Sequence, residues 1–151
     1  MLTNKRLIRV QWGDCDPAGI VFYPRYFEWF DASTILLFEK ATGLTKIRML
    51  EKYRGAGLAL LEARAVFKEA SHYGEDLEIE TRVTEFRRSS FFVHHKATKG
   101  DTLALEGFET RLWTVRDPAK PDRLRSGTMP QEVVAAFGGQ GGQGGMRPAG
   151  A

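Results

Sequence analysis

The sequence predicts an α+β fold, with one long central helix wrapped by a curved, mainly antiparallel sheet of about five strands. Three observations predict it. An apolar run of helical period opens on Pro24 and stops before Gly43. An alternating run precedes it. Four further alternating runs come after it with no strong helical pattern between them, and strands joined directly pair most simply as antiparallel neighbours.

Each element has a local reason. Residues 5–12 alternate, with Ile8, Val10 and Trp12 against Arg9 and Gln11, and predict a strand. Residues 13–19 are turn formers and belong to neither regular structure throughout. The helix is predicted over 24–42. Proline suits the first helical position, Lys40 suits the negative end of the dipole, and Gly43 supplies the stop. Arg25, Glu28, Asp31 and Glu39 form a narrow polar stripe opposite Phe27, Phe30, Leu37 and Phe38, while Trp29, Ile35 and Leu36 widen the apolar face. So apolar a helix is expected to be buried on most sides.

Beyond a polar connection, strands are predicted at 58–68, 76–86, 90–98 and 102–116. The first carries Ala59, Leu61, Ala63, Ala65 and Phe67 on one face. In the last, the apolar phase shifts around Gly107, from Leu103 and Leu105 to Phe108 and Leu112, which predicts a glycine bulge. Residues 130–137 predict a short terminal helix. The 151 residues suit one domain, assigned to 1–137, and the Gly/Gln-rich segment 138–151 is expected to be disordered.

Composition narrows the function. Apolar residues make up 42% of the chain, enough for a globular core, and the net charge is only +3. Basic residues are scattered, so neither nucleic acid nor a membrane surface is an expected partner. No apolar run reaches bilayer length, and the opening residues lack a signal-peptide core. Cys15 is the single cysteine, which excludes an internal disulfide and suits a reducing compartment; the expected location is the cytoplasm.

The chemistry concentrates in Gly13-Asp14-Cys15-Asp16-Pro17-Ala18-Gly19-Ile20-Val21-Phe22-Tyr23-Pro24. Aspartates before Pro and Gly commonly bond a turn backbone, and that is the simplest reading of Asp14 and Asp16. A calcium loop fails, because its fifth position is Ala18, its twelfth is Arg25, and no helix precedes it. Cys15 lies between two carboxylates, which disfavour a thiolate, so a structural thiol is expected. His72, His94 and His95 are expected as strand or loop residues, and neither a Gly-x-Ser-x-Gly elbow nor a His-Glu-x-x-His motif occurs.

Asp16 gains a functional reading from the helix that begins at Pro24. The first N–H groups of a helix lack internal acceptors and carry partial positive charge. Pro24 has no N–H, so the Tyr23 amide is the candidate donor to a polarised carbonyl, an interaction typically worth about 3–4 kcal/mol of barrier. Asp16 would then attack the carbonyl carbon or activate a water, and both roles are open. Arg87-Arg88-Ser89-Ser90 lies between two strands; it reads as a solvated turn, or as a clamp for phosphate oxygens.

The 13–24 run, together with Glu85-Phe86-Arg87-Arg88-Ser89-Ser90-Phe91, resembles the 4-hydroxybenzoyl-CoA thioesterase family of the hotdog-fold superfamily, and the resemblance spans about residues 5–135. It implies an acyl-CoA thioesterase acting on an aromatic acyl-CoA of the benzoyl or hydroxybenzoyl type. Asp16 matches the family's catalytic carboxylate, and the Tyr23 amide its carbonyl-polarising group. Arg87, Arg88 and Ser89 match positions that bind the phosphates of coenzyme A, often across a subunit boundary, although Ser89 stands where the best-known member has lysine. Relatives with histidine at the position of Pro24 tend towards short or fatty acyl chains, so Pro24 points to an aromatic acyl group. The resemblance further implies a homotetramer built as a dimer of dimers, with active sites between subunits, and neither metal nor bound cofactor. The rivals are a thioesterase for short or medium aliphatic chains and a non-catalytic acyl-CoA-binding protein; a dehydratase on the same fold would want a histidine with a carboxylate in its pocket.

Overall fold

The protein's fold is given by a computed structural model, which describes residues 1–138. In chain order it has β1 (Thr3–Arg9), a single 3-10 turn (Trp12–Asp14), α1 (Pro24–Thr42), α2 (Lys46–Lys52), β2 (Gly57–Phe67), β3 (Asp76–Phe86), β4 (Ser90–Lys99), β5 (Thr102–Asp117), β6 (Lys120–Ser126) and α3 (Gln131–Ala136). All strand pairs are antiparallel, in the order β1-β3-β4-β5-β2, with β6 paired to the end of β5. The helix-wrapping sheet expected from the sequence is present, and the segment expected to be disordered lies, but for Gly138, outside the described residues.

The boundaries of α1 match its end signals. Pro24 occupies its first turn, and Gly43, at φ 70°, closes it with an N–H bond of 2.9 Å to Glu39 O. Lys40 Nζ donates to Thr3 O at 2.7 Å, tying the end of the helix to β1. Its buried stripe is Tyr26, Phe30, Ser33, Thr34, Leu37 and Phe38, so the centre of the stripe is polar. Leu36, at 39% exposure, is not covered.

That polar centre has partners. Under the first turns of α1 lies an apolar cluster containing Tyr26, Phe30, Leu77, Ile79 and Leu105. Under its last turns lies another, built on Phe38, Phe86, Phe91, Trp113 and Phe137. Between them the sheet presents Thr81 from β3, His95 from β4, and Glu109 and Arg111 from β5, all buried.

This layer corrects the reading of β5. Pairing runs unbroken through Gly107, which lies opposite His95 on one side and Ala65 on the other; the register shifts along these two ladders are at Leu60/Glu62 of β2 and Ala97/Thr98 of β4. Leu105, Gly107, Glu109, Arg111 and Trp113 are alternate residues, so the inward face carries two charged side chains, which makes the hydrophobic phase look shifted in the sequence. Gly107 is required by packing instead. A Cβ there would lie 2.5 Å from Phe30 Cε2, where the ring packs against the strand.

Three further differences are local. The polar connection contains α2, capped by Thr45, whose Oγ1 accepts from Arg48 N at 3.3 Å. β6 is exposed along its whole length, and so lacks the alternation that marks the other strands. β2 forms where expected, but Leu60, Leu61, Val66 and Phe67 are all exposed, and its outer edge pairs with no strand among the described residues.

Candidate active site

The residues after β1 fold as successive tight turns. The single 3-10 turn is held by Asp14, whose Oδ2 accepts from Gln11 N at 2.8 Å. Asp14 Oδ1 also faces Arg25 Nε at 3.8 Å. Asp14 therefore has a structural task.

Next comes a miniature hairpin. Cys15 pairs with Val21, and Asp16 N donates to Ile20 O at 2.9 Å. Gly19 N closes the turn on Asp16 O at 2.9 Å, with Gly19 at φ 83°. Asp at the first position, Pro at the second and Gly at the fourth is the composition such a turn requires. Asp16 Oδ1 accepts from Ala18 N at 2.8 Å, so the turn fixes the carboxylate; Oδ2 makes no hydrogen bond among the described residues. Cys15 Sγ lies 3.7 Å from Gln11 O and has no basic neighbour in hydrogen-bond range.

The hairpin leads into α1. Phe22 N donates to Asp14 O at 2.8 Å, and Tyr23 caps the helix with helical angles (φ −53°, ψ −32°). The Tyr23 N–H has no acceptor among the described residues, and Pro24 contributes none to satisfy. Asp16 lines a shallow depression with Trp12, Cys15, Pro17, Gly19 and Tyr73. Tyr23 lines a neighbouring apolar depression with Ile20, Val21, Tyr26, Phe67 and Ser71. Asp16 and Tyr23 thus line two different depressions, Gly19 belonging to the first and Ile20 to the second.

Arg87 and Arg88 are exposed in the β3–β4 turn. Arg87 stacks over Phe92, with its guanidinium carbon 4.9 Å from the ring centroid, and its Nε lies 3.3 Å from Glu85 Oε1. The Arg88 side chain makes no hydrogen bond among the described residues, while its carbonyl accepts from Met129 N at 2.7 Å. Ser89 Oγ is buried without a partner, so a surface phosphate reaches the two guanidinium groups more readily than this hydroxyl. This turn lies far from Asp16. The Asp16 hairpin abuts the start of β3, where Ile20 bridges to His72, and the arginines come after its end. The 11 residues of β3 span on the order of 35 Å.

The histidines fall in three places. His95 is fully buried, with Nδ1 2.8 Å from Thr81 Oγ1 and Nε2 3.1 Å from Glu109 Oε1. Burial pushes its imidazole below the usual range, against the opposing pull of Glu109. Glu109 is pushed up by burial, but hydrogen bonds from His95 and Arg111 outweigh that and bring it down to about 2. His94, on the outer face of the sheet, pairs with Glu106 at 2.7 Å. His72 pairs with Glu75 at 2.8 Å in the turn before β3, beside the Asp16 hairpin. That last pair is not evident in the sequence; its only signal there is a carboxylate three residues after a histidine.

A sequence model of the thioesterase-like superfamily matches residues 10–137. The 4-hydroxybenzoyl-CoA thioesterase of Pseudomonas sp. (strain CBS-3) is 35% identical over 132 residues, 83% of this chain and 91% of that protein. The chain belongs to the thioesterase-like superfamily. Solved structures of thioesterases align closely with it. A 4-hydroxybenzoyl-CoA thioesterase with an Asp-to-Asn substitution, complexed with 4-hydroxybenzoyl-CoA, superposes with a TM-score of 0.81 at 29% identity, over 89% of this chain and 98% of that one. A gentisyl-coenzyme A thioesterase superposes with a TM-score of 0.72 at 28% identity, over 90% of this chain and all of that one. The matched region takes in both the Asp16 hairpin and the arginine turn.

Proposed function

We propose that this protein hydrolyses the thioester of an aromatic acyl-CoA, releasing the free acid and coenzyme A, with Asp16 as its catalytic carboxylate and the Tyr23 N–H as the donor to the thioester oxygen. The observation that carries the reading is the unpaired Tyr23 amide at the start of α1, seven residues after a carboxylate locked by its own turn. A carbonyl held against the helix start gains stabilisation as charge builds on its oxygen. Asp16, anchored through Oδ1, keeps Oδ2 for the carbonyl carbon or for a water.

Coenzyme A is part of the substrate, and Arg87, Arg88 and Ser89 bind its phosphates, with the two guanidinium groups supplying most of the contact. Coenzyme A must then reach from one end of the sheet to the other, which favours arginines drawn from a second copy. The edge strand β2, with exposed Leu60, Leu61, Val66 and Phe67, offers the surface for that copy. A homotetramer assembled as a dimer of dimers, with active sites between subunits, accords with this logic. Among the described residues no helix is long and apolar enough to cross a membrane. We place the enzyme in the cytoplasm.

The aromatic preference is supported by the 35% identity to a 4-hydroxybenzoyl-CoA thioesterase and by Pro24 at the start of α1. It is tested by comparing kcat/KM across a panel of thioesters. Benzoyl- and 4-hydroxybenzoyl-CoA are expected to exceed butyryl- and octanoyl-CoA by about tenfold or more. Faster turnover of the aliphatic substrates would overturn the aromatic assignment, and binding of every thioester without cleavage would overturn hydrolysis itself.

A further inference from the structure

Two of the three histidines lie away from the site. His95 is sealed under α1, and His94 lies on the far face of the sheet. His72 is placed differently. Asp16 N donates to Ile20 O at 2.9 Å, and Ile20 bridges in turn to His72. Residues opposed across an antiparallel ladder project to the same side, so the Asp16 carboxylate and the His72 imidazole flank the Ile20 side chain. The opposite face carries Cys15, Val21 and Ser71, the last two buried. Two interstrand steps place the backbones of Asp16 and His72 about 10 Å apart.

The imidazole is also oriented. Its Nδ1 lies 2.8 Å from Glu75 Oε1, and the same oxygen accepts the His72 backbone N–H at 3.1 Å. Lys99 Nζ, from β4, holds Glu75 Oε2 at 3.0 Å and is itself fixed on Ala70 O at 2.6 Å. Glu75 thus contacts the ring directly, and Lys99 reaches it through Glu75. Nε2 has no partner among the described residues, and the side chain is 58% exposed, so it is open to water. A base held by a third group, with its second nitrogen free beside a nucleophile, is the arrangement that activates water in acyl transfer.

We propose that His72 is the general base for the second half of the reaction, hydrolysis of the acyl-Asp16 anhydride, with Glu75 as its positioning residue. This rests on the thioesterase reading and takes Asp16 as the nucleophile. In the first half, Asp16 Oδ2 bonds to the acyl carbon, the C–S bond breaks, and coenzyme A leaves as its thiolate. In the second, a water oxygen bonds to the acyl carbon while one water proton passes to His72 Nε2. The bond from the acyl carbon to Asp16 breaks with its electron pair returning to the carboxylate, and His72 then gives its proton to solvent.

The test separates the two halves with benzoyl-CoA. His72→Asn retains a donor near the Nδ1 position, so an unchanged melting temperature is expected. In stopped-flow, the first coenzyme A should leave at the wild-type rate, one per active site, before a slow steady state sets in. kcat should fall about 100-fold, the lower range of general-base contributions, while kcat/KM, which reports acylation, stays unchanged. Equal falls in kcat and kcat/KM, or a kcat within twofold of wild type, would overturn the role of His72. Asp16→Asn, run in parallel, should abolish the first release. If it released coenzyme A at the wild-type rate, the Asp16 assignment would fall, and with it the anhydride that His72 is proposed to hydrolyse.

Discussion

His95 Nε2 stands 3.1 Å from Glu109 Oε1 beneath the middle of α1, and neither side chain is more than marginally exposed. Thr34 from the helix and Arg111 from the next inward position of β5 complete the partners of the carboxylate. Arg111 reaches on to Asp31 Oδ1 at 2.7 Å and Leu58 O at 3.1 Å. The network thus ties helix, sheet and β2 together between two apolar clusters. A neutral His95 that donates Nε2–H to Glu109 and accepts from Thr81 satisfies the geometry.

Stability should therefore depend on pH. Both groups are held below their ordinary values, so both contribute stability above those values and lose it as pH falls. His95 acts first, below its reference of 6.5, where the unfolded chain takes up a proton that the buried ring resists. Glu109 acts next, between 4.5 and about 2, with a contribution on the order of 3 kcal/mol. Urea unfolding from pH 8 to 3 should show a plateau above neutrality and then a two-stage decline. Glu109→Gln should remove the lower stage and cost about 3 kcal/mol or more at pH 7, because Arg111 then lies buried beside a neutral group. A flat profile in the wild type would contradict this account.

Gly107→Ala tests the packing of Phe30. The ring lies stacked on His95, with centroids 4.5 Å apart, and a new Cβ on the neighbouring strand would stand 2.5 Å from its edge. Phe30 is 1% exposed and has nowhere to withdraw. A loss of about 1–3 kcal/mol is expected, read as a lowered melting temperature. Unchanged stability would show that Phe30 does not need the space.

The arginine turn is expected to act on binding alone. Arg87 and Arg88 are surface residues far along the sheet from Asp16, so the double substitution to alanine should leave the melting temperature unchanged. KM for an acyl-CoA should rise about 10-fold or more with kcat little altered, and the rise should shrink for a substrate truncated to its pantetheine arm. An equal effect on both substrates would remove the phosphate assignment.

Much of this molecule is legible in its sequence. The helix is bounded by Pro24 and Gly43 because each signals an end through its own backbone. β3 alternates cleanly because one face of it packs on α1, whereas in β4 the consecutive Phe91, Phe92 and Val93 blur the alternation. Where a face is polar inside, as at Glu109 and Arg111, or polar throughout, as in β6, alternation carries no signal. The exposure of Leu61 and Phe67 is hidden for a related reason: apolar character announces burial, and these residues lie on an edge strand that one chain leaves uncovered. In the site, the 13–24 run points to Asp16 and Tyr23, but the tie between Asp16 and His72 depends on Ile20 pairing across 52 positions of chain, which no local pattern encodes.

The central claim is that the carboxylate of Asp16 attacks the thioester carbon or activates a water to do so. Asp16→Asn preserves the acceptor that Ala18 N requires, so the hairpin should hold and circular dichroism should match the wild type. Turnover of benzoyl-CoA by that variant, monitored as free thiol, is predicted to fall by roughly 10³-fold or more. Near-normal thiol release from a folded Asp16→Asn protein would contradict the account.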